Sequence, residues 1–341
     1  MKKAGFLIVL SILVAIIAGC SVTAKESDTL TIAWLPNESG EDVKSARDEI
    51  GKLVEEATGK KVVHKTTTDY VITIESIANG NADIAYLGPQ GYVEAHNKND
   101  KVLPLVVSTG KSGTLEDAVY YSWLAVVKGN EEPFKDGSGF KLDNLAGKKF
   151  SFVSTSSTSG FKVPSNNIVN YFSAMDKYKD LTAEDLMEGG KDQFFSDVQF
   201  GGSHQGSAVN LLNGTVDVAA FCDSCVTNYV ELVNGKLNAA GALYKVKDDA
   251  VEPFNTVQGK EFTLISSTPV LNSPFVVNSD KVSEETVKKL VDAFTSEKTT
   301  NNTNIFIVKD SGLKGMFSKT GKEAFLAVED SWFEPVRALS K

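Results

Sequence analysis

The chain has 341 residues, with 35 Lys and Arg against 44 Asp and Glu, a formal charge of −9. So acidic a chain is a poor partner for nucleic acid, whose binding depends on cations set against phosphates. Arginine is represented only by Arg47 and Arg337, which disfavours a bidentate guanidinium clamp of the kind that holds carboxylate ligands.

In chain order, Lys2 and Lys3 precede an apolar run at 5–17. A run of that length falls short of the roughly 20 residues needed to span a bilayer and suits the core of a secretory signal. Ile17-Ala18-Gly19-Cys20 resembles the bacterial lipobox, in which cleavage precedes a cysteine that is then acylated. Residues 1–19 are therefore expected to be a signal peptide, Cys20 the lipidation site and 20–28 a polar tether. The protein is expected at the cell membrane, lipid-anchored on its extracytoplasmic face. Without Lys2 and Lys3 the balance is 33 basic against 44 acidic residues, a formal −11. No later stretch reads as a second span, and the remaining length suffices for two domains.

The mature part alternates strand and helix. Residues 29–35 are β-rich and closed by Pro36. Val43, Ala46, Ile50, Leu53 and Ala57 follow at helical spacing, with Gly59 as the expected stop. Short strand runs recur at 62–63, 83–87, 102–107, 123–127, 150–153 and 216–221, mostly separated by helical stretches. The fold class is α/β with largely parallel sheets. An echo at an offset of 134 residues sets 77–85 (IANGNADIA) against 211–219 (LLNGTVDVA). Each is a helix end, an Asn-Gly stop and a strand opening on Asp, as expected of two similar α/β lobes. Ligands of such sheets sit beyond the carboxyl ends of the strands, which nominates 87–92 and 222–225. The stretch 262–277, broken by Pro269 and Pro274, reads as the strand returning to the first lobe, and the tail from 283 onward as mostly helical.

Three motifs carry chemistry. Residues 152–161 (FVSTSSTSGF) run from a strand through hydroxylic residues into a helix, where backbone amides, the helix dipole and hydroxyls make an anion site without a cation. A solvated Ser/Thr loop with a helix cap has the same composition. Residues 200–207 (FGGSHQGS) place His204 in a βα turn. Residues 221–225 (FCDSC) hold Asp223 between Cys222 and Cys225, a pair that could be a disulfide, a redox pair or half of a zinc site.

Ser157 through Phe161 with Val163-Pro164, then Gly202-Ser203-His204 followed by Asn213-Gly214, Asp217 and Asp223, resemble the phosphate/phosphite/phosphonate ABC-transporter substrate-binding family. The loop at 87–93 (LGPQGYV) and the stretch around Asn272-Ser273-Pro274 fit the same family. The resemblance implies a two-lobed type II periplasmic-binding-protein fold with the ligand cleft between lobes joined by crossover strands. Lobe 1 is expected to comprise 29–125 and 260–341, and lobe 2 to comprise 126–259. It also implies a capture protein and not an enzyme, working without a cofactor beside ABC permease and ATPase subunits, as a monomer. Ser157, Thr158, Ser159 and His204 would donate to the oxyanion. Asp223 would accept from a protonated oxyanion or a ligand amine, and Tyr92, Tyr86 and Gln90 would close the site from lobe 1. A residue within 36–39 would contribute, with no motif to say which. Two readings compete: an exported hydrolase or phosphatase using Ser203 or His204, and a metal-binding lipoprotein using His204, Cys222 and Cys225.

Overall fold

The first β-rich run forms strand β1, Thr29–Trp34, and the helical stripe after it forms α1, Lys44–Thr58, which buries Ala46, Ile50 and Val54 and stops at Gly59. The structure is a computed structural model that describes residues 27–308 and 311–339. The expected signal peptide, the lipidation site Cys20 and most of the tether lie outside the described residues.

The chain continues through β2 (Lys61–Thr66), α2 (Tyr70–Ala78), β3 (Ile84–Tyr86), α3 (Pro89–Lys98) and β4 (Val102–Ser108). It then crosses to a second sheet with β5 (Val119–Val127) and a small ribbon, β6 (Lys135–Asp136) and β7 (Gly139–Phe140). There follow β8 (Lys149–Phe152), a π-helical turn Thr158–Lys162 running into α4 (Val163–Phe172), and β9 (Asp197–Phe200). Next come α5 (His204–Leu212), β10 (Val218–Cys222), α6 (Asp223–Val226), β11 (Val230–Asn234), β12 (Leu243–Val246) and β13 (Glu261–Leu271). The chain returns through β14 (Pro274–Asn278), α7 (Glu284–Phe294), α8 (Glu297–Thr300), β15 (Phe306–Val308), β16 (Phe317–Lys319), β17 (Phe325–Ala327) and α9 (Glu334–Ala338).

Two large sheets result, with strand orders β17-β4-β14-β3-β1-β2 and β11-β12-β13-β5-β10-β8-β9. Pairing is parallel only within the triplets β2-β1-β3 and β9-β8-β10 and antiparallel elsewhere in both sheets. The sheets are therefore mixed, not largely parallel. The reason is that the returning strand β14 inserts antiparallel between β3 and β4, and the crossing strands β5 and β13 add antiparallel beside β10.

The two triplets are built alike. The Asp83 amide donates to Thr31 O (3.0 Å) and its Oδ2 accepts from Thr31 N (2.7 Å), while Asp217 does the same to Lys149 (2.9 and 2.9 Å). Gly80 and Gly214 turn the preceding helices at φ 70° and 75°, a left-handed conformation costly for side-chain-bearing residues. The repeated Asn-Gly and Asp thus have one physical job in each lobe: to stop the helix and pin the buried third strand to the first.

The expected lobe boundaries need correcting. All of β5 and β13 belong to the seven-stranded sheet, paired from Val119↔Leu271 to Val127↔Phe262 with one register shift between Leu264 and Ser266, so the chain changes lobe at 109–118 and at Asn272-Ser273 instead of at 125–126 and 259–260. The long β5–β13 pairing holds both strands in one sheet. The two crossings are laced together, since Asn272 N donates to Ala118 O (2.9 Å) and its Nδ2 to Ser108 O (2.6 Å). The tail is also less helical than expected. Its Phe306, Phe317 and Phe325 sit on short strands and pack with Phe275 and Phe294 into an aromatic core of the first lobe.

Candidate functional site

The carboxyl ends of both triplets face one cleft between the sheets. It is lined from lobe 1 by Asn37, Glu38, Tyr70, Tyr86 and Gly88, from lobe 2 by Tyr120, Ser157, Thr158, His204 and Gln205, and at the crossing by Ser273. The free space at its centre is about 60 Å³, room for a small ligand head. Neither Lys nor Arg is among the described lining residues.

The hydroxylic loop is shaped by its own backbone. Ser157 caps the π-helical turn, its Oγ accepting from Gly160 N (3.1 Å). Gly160 is required there, because a Cβ would fall 2.3 Å from Val153 Cγ2 and 2.8 Å from Ser157 Oγ. Ser157, Thr158 and Ser159 are buried, and Ser159 Oγ is enclosed with no hydrogen-bond partner among the described residues.

His204 opens α5 behind its cap Ser203, whose Oγ accepts from Gly206 N (3.0 Å). His204 Nδ1 accepts from Cys222 N (3.0 Å), and Nε2 lies 3.3 Å from Ser157 Oγ. Burial lowers the ring's pKa to about 3. A neutral ring that accepts at Nδ1 carries its proton on Nε2, so the nitrogen facing Ser157 is a donor without a charge.

The lobes touch across the cleft. Gln90 N donates to Thr158 Oγ1 (2.8 Å), His204 N to Asn37 Oδ1 (2.9 Å), and Gln205 Nε2 to Asn37 O (3.1 Å). At the rim, Asn228 Nδ2 donates to Asp42 Oδ2 (3.1 Å). Asn37, which also donates to Tyr70 Oη (2.6 Å), is the residue of 36–39 that bridges the lobes.

Of the residues expected at the site, Ser157, Thr158, His204 and Tyr86 line the cleft, and Ser159 sits enclosed in the same loop. Gln90 reaches lobe 2 through its backbone, while its side chain donates to Glu94 (2.9 Å). Tyr92 turns away: its hydroxyl donates to Asp330 Oδ1, and its ring packs on Phe333. Asp223 is likewise engaged elsewhere, accepting from Tyr121 N (2.8 Å) and Asn238 Nδ2 (2.9 Å) inside lobe 2, with burial raising its pKa to about 6. Both side chains are turned by one cause, a polar group satisfied within its own lobe. Glu38, Tyr70, Tyr120 and Gln205 were not nominated by the sequence, where a single Tyr on a strand or helix looks like any core aromatic.

The competing readings fare poorly. Ser203 Oγ serves the helix cap, and neither ring nitrogen of His204 addresses it, so the pair lacks the nucleophile–base geometry. His204, Cys222 and Cys225 lie within 4.8 Å of one another, but the cysteines are joined as a disulfide, and a metal ligand must be a thiolate. Both arginines serve structure: Arg47 donates to the carbonyls of Glu38 and Gly40 (2.8 Å to the latter), and Arg337 pairs with Asp330 and Glu334.

Comparison with known proteins gives a consistent picture. The phosphate-import protein PhnD of Mycolicibacterium smegmatis is 29% identical over 202 residues, covering 58% of this chain and 56% of that protein. The chain thus matches little more than half the length of that relative. A binding-protein component of an ABC phosphonate transporter from Pseudomonas aeruginosa superposes with a TM-score of 0.64 at 20% identity, over 92% of this chain and 85% of that one. PhnD1 from Prochlorococcus marinus, solved with methylphosphonate, gives 0.63 at 17% identity, over 92% and 97%. These structures share the two-lobed type II periplasmic-binding-protein fold. Residues 32–333 match the family described as ABC transporter, phosphonate, periplasmic substrate-binding protein, and the chain belongs to that family, one of transport binding proteins and not of enzymes.

Proposed function

We propose that the protein captures a small phosphorus oxyanion, a phosphonate or phosphite, between its lobes and delivers it to the permease and ATPase of an ABC importer. In this reading Ser157, Thr158, Ser159 and the Nε2–H of His204 donate to the anion from lobe 2, and Asn37 and Tyr86 close the site from lobe 1. The observation that carries it is a buried interlobe cleft in which neutral donors converge and, among the described residues, no cationic side chain lines the space. Neutral donors in a desolvated site hold an oxyanion through many moderate hydrogen bonds, and they need no help from the overall charge of an acidic protein. The working form is a monomer, tethered to the outer face of the membrane by lipid on Cys20.

The test is calorimetric titration of the soluble protein with methylphosphonate, phosphite, hypophosphite and phosphate. Binding to at least one, weakened about ten- to a hundredfold by Ser157→Ala, is expected. No binding to any of them overturns the reading. Metabolic lipid labelling of wild type and Cys20→Ala tests the anchor, and an unlabelled wild type refutes it.

A further inference from the structure

Glu38 is the one acidic side chain in the centre of the cleft, and burial there outweighs the two groups that favour its charge, its own amide and Arg47. It ends the short helical turn Pro36–Glu38 after β1, and its Oε2 is enclosed with no hydrogen-bond partner among the described residues. The groups that face it come from every neighbouring element: Asp42 on its own segment, Arg47 on α1, Tyr70 on α2, Tyr86 closing β3, Tyr120 on β5 and His204 on α5. Arg47 gives its hydrogen bonds to main-chain carbonyls. His204 is neutral, and burial raises the pKa of all three tyrosines, Tyr120 to about 12. Asp42 is turned to Asn228 at the rim.

An anion held by Ser157, Thr158 and His204 in so small a space has Glu38 as its neighbour. An ionised carboxylate there would repel it through a desolvated medium, where like charges interact most strongly. A protonated carboxyl removes the repulsion and adds a donor. We propose that Glu38 is a ligand-contacting acid that keeps its proton in the closed cleft and donates it in a hydrogen bond to the phosphorus oxyanion, so that capture takes up a proton from solvent. This rests on the oxyanion reading above. Burial supports it by raising the Glu38 pKa from its ordinary 4.5 to about 8. With the lobes apart, water can reach the carboxyl, and near neutral pH it ionises. Closure around the anion then draws in one proton, so affinity falls as pH rises from the ordinary 4.5 toward about 8 and levels off above that.

The experiment is calorimetry with methylphosphonate in buffers of different ionisation enthalpy, on wild type and Glu38→Gln, with Ser157→Ala as a control for the site. The ligand's own ionisation contributes to wild type and variant alike, so the difference between them isolates Glu38. Near pH 7 wild type should take up about one proton more per ligand than Glu38→Gln, and between about pH 5 and pH 8 only wild type should lose affinity through this group, approaching tenfold per pH unit and levelling off above pH 8. The amide keeps a donor and needs no proton from solvent, so Glu38→Gln should bind methylphosphonate at least as tightly as wild type near pH 7.

Equal uptake in the two proteins, with binding intact and sensitive to Ser157→Ala, overturns the role of Glu38 and leaves the oxyanion reading standing. If wild type binds none of the panel, both fall. Selective loss of 2-aminoethylphosphonate binding in Glu38→Gln, with no difference in uptake, would make Glu38 the counter-charge of an ammonium and refute the proposal. Should the variant fail to fold, infrared difference spectra of wild type decide. A protonated-carboxyl band must appear on adding methylphosphonate, and its absence overturns the inference.

Discussion

Thr158 does two things at once, and replacing it with Val separates them from packing. Its Oγ1 accepts from Gln90 N of the opposite lobe at 2.8 Å in a buried setting, and its own hydroxyl proton remains free to donate to ligand. Val keeps the shape and removes both. In the closed form the Gln90 amide is then left without a partner, which costs about 1–3 kcal/mol, and the anion loses a hydrogen bond worth about 1.5–3 kcal/mol. In the open form water takes the amide, so the penalty falls on closure and not on folding. At about 1.4 kcal/mol per tenfold, the lower limits already predict a loss of affinity approaching a hundredfold. Ser157→Ala should weaken binding less, by roughly ten- to a hundredfold, but it also removes the cap on Gly160 N, costing about 1 kcal/mol of stability. Calorimetry with the best ligand, paired with melting curves of the ligand-free proteins, separates the two effects. A Thr158→Val protein that binds within about threefold of wild type would refute the idea that this hydroxyl latches the lobes.

Asp217→Ala should lower unfolding free energy by about 1 kcal/mol in denaturant titration, because the exposed carboxylate supports only Lys149 N at the far end of β10; ligand affinity should not change. His204 has a folded pKa of about 3 against an ordinary 6.5, so between those values the unfolded chain binds the extra proton. Stability should therefore fall as pH drops from 6.5 toward 3, by up to about 1.4 kcal/mol per pH unit, and His204→Gln should flatten that part of the profile. Reducing Cys222–Cys225 with dithiothreitol opens a very short loop, so melting should move little. The loosened Cys222 N–His204 Nδ1 bond should weaken ligand binding about two- to tenfold.

Much of the architecture is legible because burial writes it into the chain. β1, α1 and the paired Asn-Gly-x-x-Asp units are apolar runs closed by stops whose job is local, and each folds where its pattern says. The crossovers are less legible. β5 and β13 owe their sheet to each other, across 134 or more intervening residues, and nothing within either run tells which lobe will hold it. β15, β16 and β17 are three residues each, too short for alternation to show. The position of the Ser157–Ser159 loop and of His204 at the cleft is legible from small residues between strand and helix. The directions of Asp223 and Tyr92 are not legible, because a motif gives position and not direction: Tyr121 and Asp330, far away in sequence, hold those side chains. Asn37 and Glu38 left no signal beyond following the first strand.

The lacing of the two crossings by Asn272 has a mechanical consequence. Bound to both Ala118 and Ser108, it makes two ribbons bend as one leaf, so the lobes share a single swing and neither can twist on one ribbon while the other stays slack. Ser273, the next residue, is part of the cleft wall beside Tyr86. The leaf that sets the angle of the jaws therefore also touches what the jaws hold, and opening moves this wall together with the contacts across the gap. Under the proposed capture reading, occupancy and angle become one coordinate, and a receptor that senses the angle between the lobes senses the ligand.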